Sequence, residues 1–166
     1  MIFSHVNSLE KNYRKSHGIY YTKREICKYV VDTFVKIDPN TRILEPGCGC
    51  GYFAFELFRK LKKALDPIDA ESILNDHLIL IDNDIRALEL LSKLLKVDAS
   101  LFLNKSFLLG VDLQPNSFDY VIGNPPYAAK LSSEEKRFCS RMFPQFAKSP
   151  KRFESSANFL KRSIDL

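Results

Sequence analysis

Three glycines in five residues, within Glu45-Pro46-Gly47-Cys48-Gly49-Cys50-Gly51, constrain this chain more than any other feature. Thr41 to Leu44 before them reads as a short strand, and Tyr52 to about Leu65 after them reads as a helix. A strand that feeds a helix through a glycine-rich loop is the opening unit of a nucleotide-type α/β fold. Glycines there let the backbone come close to a ligand. The spacing is G-x-G-x-G rather than G-x-G-x-x-G, and the lysine and Ser/Thr of a phosphate loop are missing, which disfavours a phosphate ligand. An acid, Glu45, stands at the strand end instead.

The rest of the chain repeats the alternation. Lys15 to Tyr21 reads as a loop broken by Gly18, and Thr22-Lys23-Arg24-Glu25 as a capping box opening a helix toward about Lys36, with Ile26, Val30 and Phe34 on one face. After an irregular connection, Asp66 to Asp76, a second strand is expected over His77 to Ile81 and ends in Asp82-Asn83-Asp84. A helix from Ile85 to Lys96 carries Leu88, Leu91 and Leu95 inward, with Asp84 suited to cap it and Asp82 suited to accept bonds from ribose hydroxyls. Ser100 to Asn104 reads as a third strand and Phe118 to Ile122 as a fourth. Strands alternating with helices imply a mostly parallel sheet whose ligands sit at the carboxyl ends, where Glu45, Asp82, Ser106 and Asn124 all fall. Helices are expected over Ser133 to Phe143 and Ser155 to Leu166.

The fourth strand stops in Gly123-Asn124-Pro125-Pro126-Tyr127. Two prolines fix φ and supply no N–H, which frees their carbonyls to accept, and Asn124 adds a side-chain acceptor and donors. Such a group suits an amine. Asn-Pro and Pro-Pro are also the ordinary punctuation of a turn, and these four residues alone leave both readings open.

At 166 residues the chain fits one domain, and its 45% hydrophobic and 27% charged content are those of a soluble globular protein. No apolar run approaches the roughly 20 residues a bilayer requires, and Met1 to Arg14 is no signal peptide, so a cytoplasmic protein is expected. Cys27, Cys48, Cys50 and Cys139 make no C-x-x-C pair, which suits reduced thiols and no metal site. The net charge is +5, with +4 over residues 1 to 30, +5 over 128 to 166 and −4 between them. Basic flanks around an acidic centre suit a polyanion at the rim of a cation site, and solvated helix faces give the same tally.

Taken in order, Gly18-Ile19-Tyr20-Tyr21-Thr22, Leu44 to Phe53, Asp82-Asn83-Asp84, Ser106-Phe107-Leu108 and Asn124 to Tyr127 resemble the motifs of the amino-group DNA methyltransferases in their gamma arrangement. The resemblance covers about residues 15 to 130. It implies a Rossmann-like fold with strands one to four present, S-adenosylmethionine as cofactor, and methyl transfer to the N6 amine of adenine in DNA within a restriction-modification system. It also implies roles. Tyr21 and Thr22 would contact the methionine part, Glu45 would face the ammonium, and Gly47, Gly49 and Gly51 would admit the cofactor. Asp82 would bind the ribose and Phe107 would pack on the adenine. Asn124, Pro125, Pro126 and Tyr127 would form the catalytic loop, with Tyr127 stacked on an adenine flipped from the duplex.

Ser106 departs from the pattern, since the family commonly has an acid there to accept a bond from the cofactor's adenine amine, and a neutral acceptor is weaker. Glu45 for the usual aspartate is milder. The resemblance further implies that 1–166 is one partial methyltransferase domain, with target recognition supplied by a further carboxy-terminal region or a second polypeptide. Two other readings stand beside it: a protein glutamine methyltransferase, which uses a similar Asn-Pro-Pro-Tyr, and a truncated or split domain that binds cofactor or partner without turnover.

Overall fold

The computed structural model describes residues 22–49, 51–109, 112–127, 129–146 and 155–166. Gly18 to Tyr21 and Cys50 lie outside them. Among the described residues four strands, β1 (Ile43–Pro46), β2 (Leu78–Asp82), β3 (Leu103–Asn104) and β4 (Tyr120–Val121), make one sheet in the order β3-β2-β1-β4. Every pairing is parallel, with Ile43 opposite both Leu78 and Tyr120, and Ile81 opposite Leu103. The expected α/β architecture is therefore present. β1 leads outward to β2 and β3, and the chain then returns to the far side of β1, which makes the β1–β4 boundary the topological switch point where such sheets bind ligands.

Strand alternation sorts the core into two faces. Ile43, Leu78 and Leu80 pack with the buried rows of α1 (Arg24–Phe34), α2 (Tyr52–Ala64) and α3 (Ile85–Leu95). Leu44 and Ile81 point to the other face, against Phe107, Val121 and Phe159. Phe159 belongs to α5 (Ser155–Ile164), which with α4 (Ser133–Met142) closes that side. Leu88, Leu91 and Leu95 of α3 are buried as their spacing predicts, and the Asp84 carboxylate caps the helix by accepting from the Arg86 N–H at 3.1 Å.

Three expectations need correction. The N-cap of α1 is Lys23, with no side-chain cap, so Thr22 does not open a capping box. The buried row of α1 is Cys27 and Val31, continued by Val35, while Ile26 and Phe34 are 50% and 62% exposed. These are two i,i+4 rows one residue apart. Ion pairs flanking the second row fix the choice: Glu56 Oε1 of α2 accepts from Arg24 Nε at 2.9 Å, and Arg59 binds Asp32 at 2.9 Å. Third, Ala99–Leu101 is a 3-10 turn, because the Asp98 carboxylate accepts from the Ser100 N–H at 2.7 Å, and only Leu103–Asn104 pair as strand.

Glu56 is fully buried and also accepts from Arg59 Nε at 2.7 Å. Burial pushes its carboxyl up, but hydrogen bonds from Arg59 and Arg24 outweigh that and hold it below the ordinary range. A lowered carboxyl stabilises the fold above its unfolded-state pKa and stops doing so as pH falls through the folded value. Glu56→Ala should cost about 2 kcal/mol at neutral pH, the half-exposed arginines regaining water. Urea denaturation should find the wild-type and variant stabilities converging as the pH is taken below the carboxylate range.

Candidate active site

The glycine loop hangs from the end of β2. The Gly47 and Cys48 N–H groups donate to the Ile81 carbonyl at 2.8 and 3.0 Å, and the Gly49 N–H donates to Asp82 Oδ2 at 2.7 Å. Asp82 Oδ1 accepts from the Asp84 N–H at 2.8 Å, so one carboxylate fixes the loop and its own turn together. Gly51 is the N-cap of α2 in the left-handed region, φ 81°, and a Cβ there would lie 2.3 Å from Leu91 Cδ1. Gly47 is also left-handed, φ 69°, but a Cβ would meet Phe159 at an ordinary 3.6 Å.

Glu45, at the switch point, is 2% exposed, and its Oε2 has no hydrogen-bond partner among the described residues. Burial, with the negative charge of Asp82 added, pushes its carboxyl well above the ordinary range. Asp82 is raised too, by burial against the pull of its backbone hydrogen bonds. Cys27 lies in the same wall, with its thiol pushed up to about 12, chiefly by burial, which makes it a poor nucleophile at neutral pH. Cys27, Cys48 and Cys139 are buried.

At β3 the Ser106 hydroxyl donates to Glu135 Oε1 of α4 at 2.6 Å. Oε2 of the same carboxylate accepts from the Ser132 N–H at 2.8 Å, completing the capping box of α4. Phe107 is 2% exposed, its ring 5.1 Å from that of Phe159 and under the Arg162 guanidinium at 5.2 Å. Beyond β4, the Pro126 carbonyl accepts from the Ser155 hydroxyl at 2.6 Å, and Ser155 Oγ accepts from the Ala129 N–H at 3.2 Å. The Pro126 carbonyl is thus engaged by the fold.

Glu45, the loop glycines, Asp82, Ser106, Glu135 and Pro126 border one cavity of about 360 Å³, within the usual range for small-molecule sites. Of the residues singled out in sequence, Thr22, Glu45, Gly47, Gly49, Gly51, Asp82, Ser106, Phe107, Asn124 and Pro126 border it. Pro125 and Tyr127 do not; Tyr127 is half exposed beside it. Tyr21 lies outside the described residues. Glu135 and Phe159 border the cavity without having been singled out. The Ser132-x-x-Glu135 cap signal could have placed Glu135 at a helix start, but nothing local brings it to Ser106.

Residues 5–164 match the profile of the N-6 DNA methylases. The chain belongs to that family. This N-6 DNA methylase chain is 27% identical over 133 residues to the type II methyltransferase M.VspI of Vibrio sp. (strain 343), covering 78% of this chain and 30% of that protein. It is also 27% identical over 127 residues to a release factor glutamine methyltransferase of Bacteroides thetaiotaomicron, covering 75% and 41%. The chain thus spans well under half the length of these relatives. A modification subunit of a putative type I restriction enzyme from Vibrio vulnificus YJ016 shares the fold with a TM-score of 0.65 at 17% identity, covering 98% of this chain and 34% of that one. The ATP-dependent type ISP restriction-modification enzyme LlaBIII, solved bound to DNA, aligns with a TM-score of 0.61 at 13% identity, covering 98% and 15%. Among the described residues no helix is long and apolar enough to cross a membrane.

The two glycines separate backbone strain from packing. Gly47→Ala should cost about 1 kcal/mol from its left-handed φ alone. Gly51→Ala adds a collision with the buried Leu91 and should cost about 3 kcal/mol. Urea midpoints of the two variants check the order.

Proposed function

We propose that the cavity binds S-adenosylmethionine and that this chain is the cofactor-binding and catalytic part of an enzyme methylating the N6 amine of adenine in DNA, in a cytoplasmic restriction-modification system. The supporting observation is the order of polar groups along the carboxyl edge of the sheet: Asn124 after β4, Glu45 on β1, Asp82 on β2 and Ser106 after β3. A ligand laid along that edge meets an amide loop and a buried acid, then an acid suited to ribose, then a site for a base. S-adenosylmethionine presents its methionyl end, ribose and adenine in that order. Its fit is supported by Glu45, a buried acid with an open oxygen suited to an ammonium, and by a glycine cradle without phosphate-loop residues.

In this reading Glu45 holds the ammonium, Gly47, Gly49 and Gly51 allow close approach, Asp82 receives the ribose hydroxyls, and Thr22 with Tyr21 flanks the methionyl part. Phe107, largely covered by Phe159, forms the wall at the adenine end. When bound, the cofactor supplies an electrophilic methyl carbon on a sulfonium. The protein's task is to ready the acceptor. An adenine amine is a poor nucleophile because its lone pair is delocalised into the ring. Asn124 Oδ1 and the Pro125 carbonyl each accept one amine hydrogen, which draws the nitrogen toward sp³ geometry and aims its lone pair. Pro126, tied to Ser155, sets the direction of that pair, and exposed Tyr127 stacks on the flipped base.

A glutamine side-chain amide poses the same problem, and the release factor methyltransferase relative keeps that second reading in view. Methyl acceptance by duplex DNA versus release-factor protein, assayed with this chain joined to the rest of its enzyme, separates them. In that assay Asn124→Ala should abolish transfer and change cofactor affinity less than about threefold. Loss of cofactor binding in step with activity would refute its role.

Glu45 gives the pH dependence. Its raised carboxyl stabilises the free fold at low pH and loses that contribution as pH rises through the raised value. An arriving ammonium favours the carboxylate, so cofactor binding should release a proton and tighten with rising pH. Calorimetry in buffers of different ionisation enthalpy should record that release. Glu45→Gln should remove it and weaken binding at least about tenfold.

A further inference from the structure

We infer that Glu135 restores, through Ser106, the negative charge that position 106 itself lacks, and that the Ser106–Glu135 pair makes the cavity selective for a base carrying an exocyclic amine. The inference rests on the cofactor reading above and names the device by which that site would recognise adenine.

A serine hydroxyl has one hydrogen and two lone pairs, so a lone serine facing a base can turn to donate or to accept. Here its hydrogen is committed: it is donated to Glu135 Oε1 at 2.6 Å. Only the lone pairs of Ser106 Oγ remain for a ligand, and donation to a carboxylate makes that oxygen a stronger acceptor. Ser106 and Glu135 both line the cavity, beside Phe107. The cap of α4 needs one carboxylate oxygen, Oε2, for the Ser132 N–H; Oε1 is left over and serves Ser106, on a segment 29 residues away in sequence. The pair is therefore an acceptor with a fixed sense. It suits the amine of adenine and opposes the carbonyl oxygen of hypoxanthine, which would meet lone pairs. Glu135 acts through Ser106, as a positioning residue.

Glu135→Gln reverses that sense with little change of shape. Glutamine keeps the cap, since its amide oxygen can still accept from the Ser132 N–H. Its amide nitrogen then faces Ser106 and donates to Oγ, which frees the hydroxyl hydrogen to point at the ligand. The probes are S-adenosylhomocysteine and S-inosylhomocysteine, titrated calorimetrically; they differ only at the base edge, where the amine becomes a carbonyl and N1 gains a hydrogen, and the variants isolate the contribution of the exocyclic group. Wild type should prefer the adenosyl compound by at least about tenfold, and Glu135→Gln should lose most of that preference by weakening the adenosyl compound while sparing the inosyl one. Ser106→Ala, which removes the acceptor without touching the cap, should lose the preference likewise. Placing the acid directly, as Ser106→Asp in the Glu135→Gln background, should restore it.

A purely structural role would weaken both ligands equally. An unchanged ratio in Glu135→Gln or Ser106→Ala overturns the inference while leaving the cofactor reading intact. Failure of the wild-type chain to bind either compound overturns that reading and this inference with it.

Discussion

The Asp82 carboxylate holds the site in shape. A loop with glycines at 47, 49 and 51 has little conformational preference of its own, and glycine loses more freedom on ordering than any other residue. The loop is fixed because the end of β2 takes its N–H groups in turn, two on the Ile81 carbonyl and one on Asp82. That leaves Gly51 to start α2 from the left-handed region, where Leu91 allows no side chain. Were the tether lost, the cavity floor, the start of α2 and the turn into α3 would lose their common reference.

The same geometry concentrates negative charge. A parallel sheet delivers every strand end to one edge, and here β1 carries Glu45 one residue before its end while β2 ends in Asp82. Glu45 is buried with no hydrogen-bond partner for its Oε2 among the described residues, and Asp82 is held mainly by backbone N–H groups. Burial raises both carboxyls, and the charge of Asp82 adds to the rise at Glu45 as that of Asp84 does at Asp82. Glu56 solves the opposite problem, since its buried charge is met by two arginines and serves the packing of α1 on α2. The contrast is one of surroundings: Glu45 and Asp82 face the cavity, whereas Glu56 is paired between two helices.

Much of this was legible in the sequence because it is local. Strand, glycine loop and helix follow from residues 41 to 65, the inward leucines of α3 from their spacing, and its cap from Asp84. What failed was decided across the chain. The face of α1 depends on ion pairs with α2, since two equivalent apolar rows are present. The third strand shrank because Asp98 captured the backbone that would have extended it. In the cavity, Glu45, Asp82, Ser106 and Asn124 were predictable as strand-end residues, whereas Glu135 and Ser155 each reach a partner 29 residues away. No periodicity encodes such a meeting.

The bond from Ser155 to the Pro126 carbonyl also orders events in time. During synthesis the glycine loop, its β2 hanger and the Asn124–Tyr127 segment emerge before Ser155 does, because the chain grows toward its carboxyl end. The acidic half of the cavity can therefore assemble while the proline loop still lacks its anchor. A nascent chain would form the acid-lined wall first and fix the Asn124–Tyr127 segment only afterwards.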